Sequence, residues 1–346
     1  MKAVVFEQFG GPEVLRYVDL PIPTPGQGQV LVKTKAVGVC KADWRVRTGH
    51  SQWLTCPFPV TIGYESAGTI EALGPGVSGF TVGQPVHVLH MAVYGTYADF
   101  IAVTADDVAP MPEGMDFDAA AAAFNYFVAW GLLNQIVRAS EGQTLYIGGA
   151  AGGVGTAVIQ LAQHQRVEVI ASASTDAKCE YLRSLGVERV FNHTAEDDVA
   201  AVKRLSGGRG VDYVYDQVAG PRFCRQFDML ATYGQIILYN YLGGYPEDRE
   251  IIHILQSRCE GCYGIRYFSI HVHDADPARF RKVKEEVLAL IAAGALRPPI
   301  HKVLPLSEAR LAHEMIDSGE VLGKLVLRPA PWGTVAAAPR PFGGAA

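Results

Sequence analysis

The sequence is poor in cysteine and in clustered positive charge. Its 346 residues include six cysteines, too few and too scattered for a disulfide framework, so we expect reduced thiols in a cytosol. Lysine and arginine number 30 against 35 aspartates and glutamates, which gives a net charge of −5, and no long basic cluster occurs. The composition therefore argues against a nucleic-acid partner.

Long hydrophobic runs are also missing. Although 49% of the residues are hydrophobic, no apolar run reaches the ~18 residues of a membrane-spanning helix. The first residues, Met1 to Phe6, lead directly into a predicted strand, without an apolar segment and cleavage site of their own. We expect a cytoplasmic protein with no signal peptide and no membrane partner, and the length favours two domains at ~150 residues each.

The most informative stretch is a glycine-rich turn. Thr144 to Ile147 is a short apolar run, and apolar residues recur at helical spacing from Val154 onward. The turn contains Gly148, Gly149, Gly152, Gly153 and Gly155. The order of strand, glycine turn and helix is typical of a dinucleotide site, because glycines let the backbone approach a pyrophosphate and the helix N-terminus offers free N–H groups.

The rest of the chain falls into regions with different patterns of predicted secondary structure. Residues 1–118 contain short β-rich runs with Gly/Pro turns, which predict a β-barrel-like unit. Strands then alternate with helices, which predicts a doubly wound parallel sheet. After residue 264 come a long helix from Pro277 to Ala292, a helix from Ser307 to Asp317 and a last strand from Lys324 to Arg328. The Pro/Gly/Ala-rich tail, 331–346, is predicted to be disordered.

Four motifs resemble those of the quinone-oxidoreductase-like branch of the medium-chain dehydrogenase/reductase family. The nucleotide turn has the form Ala-Ala-Gly-Gly-Val-Gly from Ala150, which stands where the usual pattern has its first glycine. The other three are Gly63-Tyr64-Glu65-Ser66-Ala67-Gly68, the active-site turn Gly38-Val39-Cys40-Lys41-Ala42-Asp43, and the final strand Gly323-Lys324-Leu325-Val326-Leu327.

This resemblance covers nearly the whole chain and implies an α/β architecture. A GroES-like β-barrel catalytic domain, residues 1–118 and 265–330, would carry an inserted Rossmann domain with a doubly wound parallel sheet, residues 119–264. The resemblance also implies a homodimer formed through edge strands near Ile251 to Tyr267, which is an analogy with the fold rather than a property of these residues.

The zinc-dependent branch of that family offers a test for a metal. Its zinc is held by a Cys, a His-Glu pair and a third Cys or Asp. Cys40 matches the first position, but Tyr64 replaces the histidine before Glu65, and Asn125 lies where the third ligand would fall. Because phenol and amide groups are poor zinc ligands beside thiolate and imidazole, we expect no metal.

Cofactor choice depends on the end of the second Rossmann strand, where NAD-specific domains place an acidic residue on the ribose. By register with the family, Ala173 takes that position here, Ser172 and Ser174 flank it, and Lys178 follows one helical turn on. Small hydroxyls and a cation suit a 2′-phosphate. His193 falls where relatives often carry a tyrosine against the adenine ribose. The expected cofactor is therefore NADPH.

The cofactor-binding residues that the resemblance implies are Ala151, Gly152, Gly153, Val154, Ser172, Ser174, Lys178, His193, Asn240, Tyr241 and Lys324. For catalysis it implies four side chains. Tyr64 would either donate to a developing enolate or simply wall off the former zinc site. Asp43 is a base or a structural acceptor, Cys40 a nucleophile or an inert thiol, and Asn125 a ligand of the nicotinamide ribose or of the substrate oxygen.

The leading hypothesis is an NADPH-dependent reductase of quinones or α,β-unsaturated carbonyl compounds, with a small-molecule substrate. The alternatives are a zinc-independent alcohol or carbonyl dehydrogenase, an enoyl-thioester reductase, and a cofactor-binding protein without turnover. A planar or apolar substrate is suggested by the aromatic residues Trp44, Trp53, Tyr64, Tyr126 and Tyr241, although such residues also fill cores.

Overall fold

A computed structural model describes residues 1–50, 57–90, 94–246 and 248–331 of the chain. Trp53 and the predicted tail beyond Pro331 lie outside the described residues. The strands are β1 Lys2–Phe6, β2 Arg16–Asp19, β3 Gln29–Val39, β4 Val60–Thr61, β5 Glu65–Leu73, β6 Pro85–Leu89, β7 Phe100–Thr104, β8 Val108–Pro110, β9 Thr144–Ile147, β10 Glu168–Ala173, β11 Arg189–Asn192, β12 Val211–Asp216, β13 Leu230–Leu238, β14 Gly264–Tyr267, β15 Ile300–Pro305 and β16 Lys324–Arg328.

The α-helices are α1 Lys41–Arg47, α2 Phe117–Ala120, α3 Phe124–Trp130, α4 Gly153–His164, α5 Asp176–Ser184, α6 Asp198–Leu205, α7 Asp248–Ser257, α8 Pro277–Ala292 and α9 Ala309–Ser318. A π-helical turn, Gly131–Ile136, extends α3, and a 3₁₀ segment, Gly220–Met229, connects β12 to β13. Within the described parts of the chain, no helix is both long and apolar enough to cross a membrane.

The N-terminal strands build a β-rich domain. A seven-stranded sheet runs in the order β15-β16-β3-β5-β6-β8, with β7 also paired to β3, and a small sheet has the order β2-β1-β4. The long strand β3 organises the larger sheet, because β5, β7 and β16 all pair with it antiparallel. Its alternate residues Val30 and Val32 pack with Ile70, Val86 and Val103 in one apolar core.

The middle of the chain forms the predicted doubly wound sheet. Six parallel strands follow the order β11-β10-β9-β12-β13-β14, which is the 3-2-1-4-5-6 arrangement of a Rossmann domain. All four residues of β9 are buried, as expected for a central strand covered on both faces. The predicted fold class, a GroES-like β domain with an inserted Rossmann sheet, is confirmed.

The return to the β-rich domain comes later than the sequence predicted. Strand β14 pairs in parallel with β13, so the Rossmann sheet extends to Tyr267 and the predicted boundary at residue 264 cuts through its last strand. The chain then passes through α8 to β16, which pairs with β3. An apolar core continues from Val39 in the β-rich domain through Phe127 to Ile147 and Val158.

The helical region after residue 116 is broken where the sequence suggested continuity. The helical conformation is interrupted between Ala121 and Ala123, and α3 begins at Phe124. The backbone N–H of Phe124 donates to the Glu65 carboxylate of β5 at 2.5 Å. An acceptor from a distant strand therefore satisfies the start of α3, in the way that a local N-cap residue would.

Candidate functional site

A cavity of about 640 Å³ opens at the edge where the Rossmann sheet reverses its winding. It lies beyond the carboxyl ends of β9, β10 and β12, beside the glycine turn. Strands β9 and β12 are neighbours in the sheet but not in sequence, so this is the switch point at which doubly wound sheets bind ligands. Cys40 and Lys324 of the β-rich domain form part of its wall.

The glycine turn has the backbone that a bound pyrophosphate requires. Gly149 has a φ of +62°, and α4 begins at Gly153 with its first N–H groups beside the cavity. A Cβ on Gly155 would lie 2.3 Å from the backbone oxygen of Ala150, so this glycine lets the helix pack against the turn. A Cβ on Gly152 would meet no atom nearer than 3.9 Å and faces free space. The turn therefore fits a dinucleotide.

The second Rossmann strand, β10, ends without an acidic residue. Of the two serines that flank Ala173, only Ser174 lines the cavity. Ala173, Ser174 and Lys178 line the cavity. Lys178 Nζ donates to the backbone oxygen of Gly319 at 2.8 Å and so links the two domains. Ser172 is fully buried instead and is not among the lining residues, since strand residues alternate between faces, so its contact with the cofactor stays a prediction.

The hydroxyl of the buried Ser172 bonds to two side chains behind the cavity wall. Its Oγ lies 3.0 Å from the hydroxyl of Tyr146 and 3.1 Å from Nδ1 of His193. His193 lines the cavity, and burial lowers its pKa, which favours the neutral imidazole. Ser172 thus orients the ring of His193 from behind the cavity wall.

Asn240 and Tyr241 follow β13 as predicted but do not line the cavity; the next residue, Leu242, does. Both side chains are held by Arg45 of α1. Arg45 Nη1 donates to Oδ1 of Asn240 at 3.1 Å, and Nη2 donates to the hydroxyl of Tyr241 at 3.0 Å. These two residues join the domains at the mouth of the cleft.

At the other end of the cavity lie Cys40, Asn125 and Lys324. Burial, followed by the charge of Asp43, raises the pKa of the Cys40 thiol well above its usual range. The inert-thiol interpretation of Cys40 is therefore favoured over the nucleophile. The amide of Asn125 lies against the first turn of α4, where a Cβ on Gly153 would approach its Nδ2 to 2.1 Å.

Lys324 is buried together with its counter-ion. Its Nζ lies 2.9 Å from Oε2 of Glu65, and Oε1 of Glu65 also lies 3.1 Å from Nε2 of His87. Burial by itself would lower the pKa of Lys324, but the charge of Glu65 outweighs it and the pKa is raised. The ammonium form of Lys324 is therefore favoured, and its Nζ is buried against Glu65 behind the cavity wall.

The other two predicted catalytic residues stand behind the wall. Asp43 is fully buried, accepts from the Cys40 N–H at 2.7 Å and from the Tyr97 hydroxyl at 3.1 Å, and so caps α1. Tyr64 is 5% exposed, and its hydroxyl donates to that of Tyr94 at 3.2 Å. Neither is among the residues that line this cavity, and the catalytic role expected of Tyr64 stays a prediction.

Comparison with known proteins decides the family. Residues 26–113 match the alcohol dehydrogenase GroES-like domain, and residues 185–327 match the family described as zinc-binding dehydrogenase. Quinone oxidoreductase of Rattus norvegicus is 32% identical, with 94% of this chain and 97% of the relative covered. The chain belongs to the quinone-oxidoreductase-like medium-chain dehydrogenase/reductase family.

Two further members of this family are similar over their whole length. A 2-haloacrylate reductase from a Burkholderia species is 29% identical, with 94% of this chain and 98% of the relative covered. The crystal structure of Escherichia coli quinone oxidoreductase complexed with NADPH superposes with a TM-score of 0.88 at 26% identity, covering 95% of this chain and all of that chain.

Among the residues that the structure describes, no metal-binding cluster occurs where the zinc-dependent branch of the family binds its ion. Within residues 1–50, 57–90, 94–246 and 248–331, no three His, Cys, Asp or Glu side chains are grouped so as to hold an ion. The carboxylate of Glu65 is instead neutralised by Lys324, and the hydroxyl of Tyr64 is turned to Tyr94.

Several cavity residues were missed by the sequence reasoning. Asp216 ends β12 and accepts from the N–H groups of Val218 and Ala219, which fixes the next turn beside the cavity. An acidic residue at the carboxyl end of a central strand indicates a ligand site in a doubly wound sheet, and it is visible in the sequence. Lys41 and Arg222 also line the cavity, but a single charged residue carries no such signal.

Proposed function

We propose that the chain is an NADPH-dependent oxidoreductase that transfers hydride to a quinone or an α,β-unsaturated carbonyl compound without a metal ion. One observation carries this proposal: the same cavity joins the glycine turn to an acid-free strand end at Ala173 and Lys178, and to Cys40 and Lys324 at its other end. A dinucleotide can span these features in one site.

The adenosine end favours the phosphorylated cofactor. Ala173 presents no carboxylate to repel a 2′-phosphate, while Ser174 and Lys178 offer a hydroxyl and an ammonium group from the same wall. The neutral ring of His193 packs beside them. The E. coli relative solved with NADPH supports this choice, because it shares the fold over its full length. Ala151, Gly152, Gly153 and Val154 would then hold the pyrophosphate.

NADPH supplies the hydride when it is bound. The residues around the reacting end position it and exclude water. The amide of Asn125 provides a donor on the cavity wall for the nicotinamide ribose or a substrate oxygen. The ammonium group of Lys324 is paired with Glu65 behind that wall and holds the two strands in place. The neutral thiol of Cys40 adds an uncharged group to the same part of the cavity wall.

We also propose a cytoplasmic homodimer. Strand β14 lies at one end of the six-stranded order, and Arg266 and Tyr267 on it are exposed. A free parallel-sheet edge can pair with the same edge of a second copy across a two-fold axis.

The test follows NADPH oxidation against a panel of quinones, enones, enoyl thioesters and aldehydes. Turnover of quinones or enones, with NADPH bound more tightly than NADH, is the expected result. Faster turnover of aldehydes or enoyl thioesters would favour the alternative enzymes. Tight NADPH binding without turnover of any class would show a cofactor-binding protein instead.

A further inference from the structure

Arg45 makes an unusual set of contacts at the mouth of the cleft. It belongs to α1 of the β-rich domain, yet two of its contacts are with Asn240 and Tyr241 beyond the Rossmann strand β13. A third N–H donates to the backbone oxygen of His50 at 3.3 Å. The guanidinium carbon lies 4.9 Å from the centre of the Tyr241 ring, so the group is held in one place by three neutral acceptors.

The charge of Arg45 is not balanced by any of these partners. No carboxylate of the described residues lies in ion-pair range of Arg45 or of Lys41, whereas the third cation of α1, Arg47, is paired with Asp317 at 2.8 Å. Lys41 instead lies 3.8 Å from the centre of the Trp44 ring. A half-buried cation without a counter-ion costs solvation free energy, which an anionic ligand would restore.

One of the two cations lines the cavity, and the other lies beside residues next to its lining. Lys41 lines the cavity, and Arg45 follows it by four residues on the same face of α1. On the opposite side, Leu242 lines the cavity directly after the two residues that Arg45 binds. Arg45 does not itself line the cavity, but its helix and its hydrogen-bond partners lead directly to the lining residues Lys41 and Leu242.

The geometry also leaves donors for a ligand. A guanidinium has five N–H bonds in a fixed fork. Three of them donate to Asn240, Tyr241 and His50, which leaves the Nε–H and one Nη1–H free of protein acceptors in the described part of the chain. A carboxylate accepts such hydrogen bonds better than a neutral oxygen does, because they are charge-assisted.

We propose that Arg45, assisted by Lys41, is an anion subsite that selects enones or quinones carrying a carboxylate. The inference rests on the proposed function, since it names the substrate class for that same site. The carboxylate binds at the rim, and the conjugated carbon extends inward toward Cys40 and Lys324. Arg45 acts here as a specificity-determining residue and takes no part in the transfer of hydride.

The experiment uses the full chain and one matched pair of probes, 4-oxopent-2-enoate and its methyl ester, which share the reacting enone and differ in charge. Binding of each to the NADP⁺ complex is measured by calorimetry, and kcat/KM of each with NADPH. Arg45→Met keeps the length of the side chain and removes its charge. Arg310→Met removes an exposed arginine of α9 and serves as the control.

The parent should bind the acid more tightly than the ester, and Arg45→Met should reduce the acid-to-ester ratio by about tenfold or more, as for a lost hydrogen bond to a charged group. Arg310→Met should keep the parent ratio. An unchanged ratio in Arg45→Met, or an equal loss for both probes, would overturn the proposal, the latter showing that Arg45 only joins the domains. Acid-selective binding without turnover would support the subsite while refuting the proposed enone reductase.

Discussion

Lys324 Nζ lies 2.9 Å from Oε2 of Glu65, and both side chains are almost completely buried. Glu65 is at the start of β5 and Lys324 at the start of β16, while the N–H of Phe124 at the start of α3 donates to the same carboxylate. One charged pair therefore joins two strands of the β-rich domain to the helix that leads into the Rossmann domain.

Breaking this pair from one side should be more harmful than removing it. Glu65→Gln leaves the ammonium group buried without a counter-ion, so we expect unfolding free energy to fall by about 3–5 kcal/mol. The double variant Glu65→Gln/Lys324→Met should recover part of that loss, because no charge remains buried. Urea unfolding followed by circular dichroism measures both.

An exposed pair provides the control for that prediction. Lys2 lies 2.7 Å from Asp19, with side chains 43% and 78% exposed, so solvent screens the pair and Lys2→Met should destabilise the protein far less than Glu65→Gln does. If Glu65→Gln were no more destabilising than Lys2→Met, the buried pair would have no structural role.

Lys178→Ala tests the assignment of the cofactor. We expect NADPH binding to weaken by about 1.5–3 kcal/mol, as for a lost hydrogen bond to a charged group, and NADH binding to change little because it has no 2′-phosphate. Fluorescence titration with both cofactors measures the difference. Lys282→Ala, which removes an exposed lysine on α8, should change neither. An equal loss for both cofactors would mean that Lys178 acts only through its contact with Gly319.

The sequence predicted those elements whose signals are local. The bounds of α8 and β16 agree with the structure to the residue, and the alternation of strands and helices predicted the parallel sheet. Helix α1 was missed because its cap is the unusual pair of Cys40 and Asp43. The break before α3 was missed because its acceptor, Glu65, comes from a strand 59 residues away.

The candidate site shows the same division. The glycine turn, Ala173 and Lys178 could be placed on the cavity from their positions along the chain. The orientation of Ser172 and Tyr64 could not, because each is decided by a partner from another element, Tyr146 and Tyr94 respectively. The contacts of Arg45 with residues 240 and 241 likewise depend on how the domains meet.

Metal independence should be visible in the purified protein. The Tyr64 phenol and the Asn125 amide stand where the zinc-dependent branch has ligands, and both are poor zinc ligands. We expect elemental analysis to show no stoichiometric zinc and a chelator to leave activity intact. One tightly held zinc ion per chain would refute this prediction.

Asp43 should make stability depend on pH in the direction opposite to an ordinary paired carboxylate. Burial raises its pKa from 3.8 to about 6 despite hydrogen bonds from Cys40 and Tyr97. The folded state therefore holds this proton more tightly than the unfolded state, and the stability it contributes is lost as the pH rises from about 4 to above 6. At about 1.36 kcal/mol per pKa unit, this loss is about 3 kcal/mol.

The amide variant isolates that contribution. Asp43→Asn cannot ionise, so its stability relative to the parent should increase by about 3 kcal/mol between pH ~4 and pH ~7. Urea unfolding of both proteins across this range measures the difference and cancels the other titrating groups. A constant difference at all pH values would show that Asp43 does not titrate in this window.

Tyr64 provides the sharpest test of how the cavity works. Its hydroxyl donates to Tyr94, its ring stacks 6.4 Å from that of Phe124, and it is not among the lining residues of the cavity. Burial, and then the neighbouring Tyr94, raises the pKa of Tyr64 well above its usual range, which keeps the phenol protonated. We therefore expect Tyr64→Phe, which keeps the ring, to turn over its best substrate within about threefold of the parent rate, a change below 1 kcal/mol in the barrier.

Tyr64→Ala should behave differently, because removing a buried ring leaves a cavity that costs about 3–5 kcal/mol of stability, on the scale of a Phe→Ala change. Turnover number and unfolding free energy, measured for both variants, separate packing from chemistry. A loss of turnover of tenfold or more in Tyr64→Phe, with NADPH affinity and stability preserved, would mean that the phenol reaches the substrate oxygen during the reaction. In that case the Tyr64–Tyr94 hydrogen bond would have to open when substrate binds, and Tyr94→Phe, which frees the phenol of Tyr64, should not lower turnover.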